Sequence, residues 1–65
     1  MDDILFEPGD EITASVTALK PFGVFVEADG VPGLIRGAQV AVGATVRAVV
    51  VEFDPVARRF SATMS

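Results

Sequence analysis

"EITASVTALKPFGVFVEADG", Glu11 to Gly30, decides the fold of this chain. In its first half the apolar side chains fall at every second position: Ile12, Ala14, Val16 and Ala18, with Thr13, Ser15 and Thr17 between them. A period of two turns one face of a strand toward a core and the other toward water. The spacing therefore predicts a half-buried strand from about Glu11 to Leu19. "KPFG" bends the chain, because Pro21 has no N–H and Gly23 tolerates dihedrals that other residues avoid. A second strand covers about Phe22 to Ala28. "ADG", Ala28 to Gly30, is a hairpin signal, since Asp-Gly favours the positive φ angles of a type I′ turn.

Further along, the same alternation continues. A short third strand runs from about Val31 to Ile35. "RGAQVAVGA", Arg36 to Ala44, is a connection with Gly37 and Gly43 near its ends. "TVRAVVVEF" is a fourth strand, Thr45 to Phe53. "DPVA" is a turn with Pro55 at a favoured position, and "RRFSATM" closes the chain as a fifth strand. No helical stripe, internal repeat or low-complexity segment is present. Five antiparallel strands without a second layer must close on themselves, or an edge and a face stay wet. The expected fold is all-β: a five-stranded antiparallel Greek-key barrel, the OB-fold. An SH3-like barrel is the runner-up. The long first strand that bends through Gly23 into a hairpin favours the OB arrangement.

The composition narrows the function. Sixty-five residues make one small domain, which buries only ~60% of its unfolded surface. The chain has no Cys and no His, so it lacks the thiolate nucleophile and the commonest general base and metal ligands. The exposed hairpin carboxylates Glu27 and Asp29 have no acid–base partner. An enzyme is not expected, nor is a metal or cofactor. The apolar runs are too short for a membrane-spanning helix, and no signal-peptide pattern opens the chain. A monomeric cytoplasmic protein, or one module of a larger protein, is expected. Net charge is −4, yet five of the nine acids (Asp2, Asp3, Glu7, Asp10 and Glu11) lie in the first eleven residues. From Ile12 onward there are four acids and five bases, a net of +1. Residues 1–8 read as an acidic leader, and residues 9–65 as the barrel domain. Such a leader can serve as a solubilising tail, or fold over the basic face as an internal phosphate mimic.

Five Phe are the only aromatics. By strict alternation Phe22 groups inward with Val24 and Val26, whereas Phe25 points out beside Gly23 and Glu27. Phe22 reaches the surface of Phe25 only if the strand bends sharply near Gly23. On the last two strands Val46, Ala48, Val50, Phe53, Phe60, Ala62 and Met64 are assigned to the core. Val49 and Val51 are left outside. They mark either a contact with a protein partner or one side of a coiled strand.

Taken in order, these segments resemble the S-one RNA-binding domain of ribosomal proteins and ribonucleases. The family runs from a Gly through V-T, F-G-x-F-V, G-L-V-H and V-G-x-x-V to an acidic turn and R-I-S-L-S. The chain has "PGDEITASVTALKPFGVFV", "ADGVPGLIR", "VGATVRAVVVEFD" and "RRFSATM". The likeness extends from Pro8 to about Thr63. It implies an OB barrel that binds single-stranded RNA on one face. Phe22 and Phe25 match the two aromatics on which bases stack. Arg36 stands where the family usually has His. Asp54 matches the acid of the last turn, although a turn-forming role suits it better than an RNA contact. Arg59 matches the Arg that opens the last strand, with Arg58 beside it. Lys20 is a nearby base that belongs to this chain rather than to the motif. Arg47 lies away from the motif.

Departures accompany the match. Ser15 and Ala18 replace positions that are often basic. "RGAQ" replaces H-I-S-E, and the connection before Gly43 is much shorter, which removes the family's short helix. The barrel end plugged by that helix then has to be closed by Phe6, or by Val40 and Val42. The functional expectation is a single-stranded RNA-binding module of low sequence specificity, using Phe22, Phe25, Arg36, Arg59, Lys20 and Arg58. The alternative is a degenerate S-one-like domain that docks on a ribosomal, polymerase or nuclease assembly. A purely structural barrel within a longer chain is the third reading.

Overall fold

The computed structural model describes residues 6–65. It contains β1 (Glu11–Lys20), β2 (Gly23–Ala28), β3 (Val31–Arg36), β4 (Thr45–Asp54) and β5 (Arg59–Met64). They form a closed barrel in the order β1-β2-β3-β5-β4. The ten-residue β1 makes closure possible, because its two halves pair with different strands. Glu11 to Ser15 pair with β4, and Ser15 to Lys20 pair with β2. A bulge at Thr17, between Val16 and Ala18, supplies the extra coil. At the β2–β3 hairpin, Asp29 and Gly30 have φ of 52° and 77°, as a type I′ turn requires. The seam between β3 and β5 is parallel, a departure from the all-antiparallel expectation. Two reversals of direction separate those strands, so they must run the same way.

Cross-strand rows explain which residues are buried. Val24, Ile35, Ala62 and Val50 form one inner row across β2, β3, β5 and β4. Val26, Gly33, Phe60 and Phe53 form the next inner row. Between them runs an outer row, Phe25, Leu34, Ser61 and Glu52. A second bulge, at Val51, shifts the parity of β4. It lets Val50 and Phe53 both face inward although three positions separate them. The buried residues are mostly Ala and Val, with Phe6, Ile35 and Phe60 as the bulky ones. Phe60 fits because Gly33 stands opposite. A Cβ on Gly33 would lie 2.3–2.5 Å from three atoms of the Phe60 ring. Met64, assigned to the core by alternation, is instead 45% exposed. The β3–β5 pairing stops at Ala62, so no β3 neighbour covers it.

The two barrel ends are closed by different segments. Connection 37–44 leads from the end of β3 to the start of β4, and there Ala38 is buried and Val40 is half-buried against the core. Val42, expected to help at this end, is exposed. Phe6 is buried at the opposite end, against Phe53 (ring centroids 5.8 Å apart) and Phe60 (5.2 Å), both edge-on. Residue 6, assigned to the leader by its charge pattern, therefore contributes to the core. Asp2 and Asp3, the leader acids invoked as phosphate mimics, lie outside the described residues. Phe6→Ala is expected to cost about 3 kcal/mol, as buried Phe deletions do. In a domain of this size that corresponds to a fall in melting temperature of more than ~10 °C in a thermal scan. An unchanged melting temperature would show that the end does not depend on Phe6.

Candidate functional site

The bend at Pro21 and Phe22 builds the site. Phe22 precedes β2, so strand alternation does not govern it. The Gly37 N–H donates to the Phe22 carbonyl at 3.0 Å and fixes the turn against the end of β3. Gly23 lies so close to β3 that a Cβ there would be 2.2 Å from the Ile35 carbonyl oxygen. This tight approach swings Phe22 onto the surface of Phe25. Phe22 is 52% and Phe25 38% exposed. Their ring centroids are 6.0 Å apart with planes at 60°. Lys20 sits over Phe25, with Nζ 5.4 Å from the ring centroid. That is cation–π range, and the contact helps to orient the ring while leaving the ammonium at the groove's edge.

An open groove of about 680 Å³ extends from this pair across the sheet. Phe22, Phe25, Leu34, Arg36, Arg59 and Ser61 are among its lining residues. Arg36 ends β3 opposite Gly23, and Arg59 opens β5 opposite Asp54. The fold thus brings together, from three strands and a turn, four of the six residues singled out from the sequence. The other two stand apart from the lining. Lys20 contacts the groove only through Phe25. Arg58 lies in the β4–β5 turn at a φ of 56°, with its N–H donating to the Asp54 carbonyl at 2.7 Å. Asp54 is a turn former: its Oδ1 accepts from the N–H groups of Val56 (2.9 Å) and Ala57 (3.1 Å). Arg47 is engaged outside the groove in an exposed ion pair with Glu11, 2.8 Å.

Leu34, Ser61 and Glu52 also line the groove, and sequence reasoning did not find them. Leu34 and Ser61 carry a signal in hindsight, since each lies one position from an inward residue. Glu52 does not, because its direction depends on the Val51 bulge. Of the two valines left outside by alternation, Val49 is half-buried and Val51 exposed.

The arrangement offers two aromatic faces, two guanidinium groups and an open path between them. That is the equipment of a single-strand binder: stacking surfaces with cations set to meet the backbone. The same fold and pattern define a family. The model of the S1 RNA binding domain matches residues 5–65, and the chain belongs to that family of RNA-binding modules. Its fold is shared by an uncharacterized protein, MJ1198, from Methanocaldococcus jannaschii, at TM-score 0.82 and 21% identity, over 95% of this chain and 96% of that one. It is similar as well to GSP13 from Bacillus subtilis, at TM-score 0.83 and 26% identity, over 91% of this chain and 55% of that one. The a/eIF2alpha–aDim2p–rRNA complex from Pyrococcus horikoshii OT3 contains a chain similar at TM-score 0.81 and 21% identity, over 94% of this chain and 45% of that one. The chain therefore spans about half the length of the latter two. No match was found among curated proteins.

Proposed function

We propose that the chain binds single-stranded RNA by stacking bases on Phe25 and Phe22 and pairing phosphates with Arg36 and Arg59. The observation that carries this reading is the exposed aromatic pair, 6.0 Å apart, facing the groove that holds both arginines. The uncovered part of each ring, 52% for Phe22 and 38% for Phe25, contributes nothing to the core. The rings gain when a base covers them, by ~1–3 kcal/mol per base. Lys20 adds charge beside Phe25, and Arg58 adds it at the far margin. Stacking and phosphate pairing are both tolerant of sequence, so most of the affinity is independent of base identity. The module acts as a monomer, in the cytoplasm, without a cofactor and without catalysis of its own. A protein-interaction role would rest on Val51, since Val49 is half-buried.

Fluorescence anisotropy with a labelled strand of about eight nucleotides, within the range covered by an OB fold, tests the reading. The single strand is expected to bind and a blunt duplex of the same sequence to bind far more weakly. Arg59→Ala is expected to reduce the slope of log affinity against log salt by about 0.7, the share of one phosphate contact on a single strand. Equal binding of strand and duplex, with an unchanged slope, would place the contact elsewhere.

A further inference from the structure

Glu52 is a groove carboxylate with no structural task among the described residues. Asp54, the other acid of the groove, has its carboxylate committed to the Val56 and Ala57 N–H groups. Glu52 makes no hydrogen bond and no ion pair among the described residues; the ion pair present there joins Arg47 and Glu11. Its direction is set by the Val51 bulge, which turns Glu52 outward opposite Ser61. It thereby ends the outer row that begins at Phe25 and crosses Leu34 and Ser61. Three strand spacings separate it from Phe25 along the curved sheet, a path of roughly 14 Å. A second, smaller depression of about 370 Å³ adjoins the groove and shares Leu34, Arg36, Glu52 and Ser61 with it. Phe25 and Glu52 line the same groove, so a strand stacked on Phe25 and following that groove would come within reach of Glu52.

A carboxylate there opposes phosphate and carries only acceptors. What it can favour is a base edge that presents donors. Guanine offers two adjacent donors on its Watson–Crick edge, N1–H and N2–H, in the parallel geometry that a carboxylate accepts bidentately. Adenine and cytosine each offer one amino group beside an acceptor nitrogen, and uracil has one N–H between two carbonyls. Unstacked bases in single-stranded RNA expose those edges. We propose that Glu52 is a specificity-determining residue that selects guanine at one position of the bound strand. This rests on the single-stranded RNA reading and adds one base-reading contact to an otherwise sequence-tolerant groove.

The test compares an oligouridine with the same strand carrying one guanosine at its centre, against the wild-type chain and Glu52→Gln. The guanosine strand is expected to bind the wild type about tenfold more tightly, as a good bidentate base contact allows. In Glu52→Gln the ratio is expected to fall close to one, with oligouridine binding somewhat strengthened because a charge facing the backbone is gone. Amide spectra of the exposed variant check that the barrel is unchanged. Equal binding of both strands by the wild type overturns the inference and leaves the RNA reading standing. A guanosine preference that survives in Glu52→Gln overturns the assignment to Glu52. Binding of neither strand overturns the RNA reading, and the inference with it.

Discussion

Gly23→Ala is expected to leave most of the chain unfolded at room temperature. The added Cβ would meet the Ile35 carbonyl oxygen at 2.2 Å and the Arg36 Cα at 2.9 Å, both backbone atoms of β3. Neither can rotate away. Relief requires β2 and β3 to separate where Gly23 pairs with Arg36, which opens the row that holds Val24 against Ile35. Overpacking of a core costs ~1–3 kcal/mol when side chains can adjust, and a backbone collision costs more. A domain of this length has roughly 3–10 kcal/mol to lose at typical stability per residue. Gly30→Ala provides the contrast. Gly30 has a φ of 77° and no atom within 4 Å of the added Cβ, so only the left-handed backbone is penalised, by ~1–2 kcal/mol. Urea denaturation of both variants checks the pair. A Gly23→Ala protein as stable as Gly30→Ala would mean that the strands are not so close at the bend.

Phe25→Ala is expected to weaken RNA binding by ~1–3 kcal/mol while the protein stays folded. That is a loss of roughly 5- to 150-fold in affinity. The ring is 38% exposed and belongs to the outer row, so its removal opens no cavity in the barrel. The salt slope is expected to remain that of the wild type, because stacking releases no counterions. Phe60→Ala behaves in the opposite way. That ring is buried, and its removal is expected to cost ~3–5 kcal/mol of stability before any effect on binding can be read. Anisotropy titrations at several salt concentrations, with a melting curve for each variant, separate the two. Unfolding of Phe25→Ala would make that ring part of the core.

The strands were legible because alternation is local. Ile12 to Ala18 and Val24 to Val26 each show their face without knowledge of a partner. The residues misread or missed are those whose direction depends on pairing. Phe22 looked inward by parity, but it lies in the turn before β2. Phe53 and Val50 cannot both be inward without a bulge, and nothing in "VVVEF" marks Val51 as the extra residue. Glu52 was overlooked as a groove residue for the same reason. Met64 fits the alternation of β5 but lies beyond the end of the β3 seam. The plug of the barrel was sought in apolar bulk, Phe6 or Val40 and Val42. The end left by the short connection is closed by the small Ala38 with Val40, while Phe6 serves the other end. Which end a side chain reaches is a question of topology, and topology follows from long-range pairing.

Single-stranded RNA is expected to cover the outer surface around Phe22 and Phe25. An amide chemical-shift titration of the uniformly labelled chain with a short single-stranded RNA maps that surface residue by residue. The expected result is a saturable set of shifts confined to Phe22, Phe25, Leu34, Arg36, Glu52, Arg59 and Ser61 and their neighbours Lys20 and Arg58, with the buried Val46 and Ala48 unmoved. Absence of shifts at millimolar RNA, or shifts centred on Val49 and Val51 instead, would contradict it.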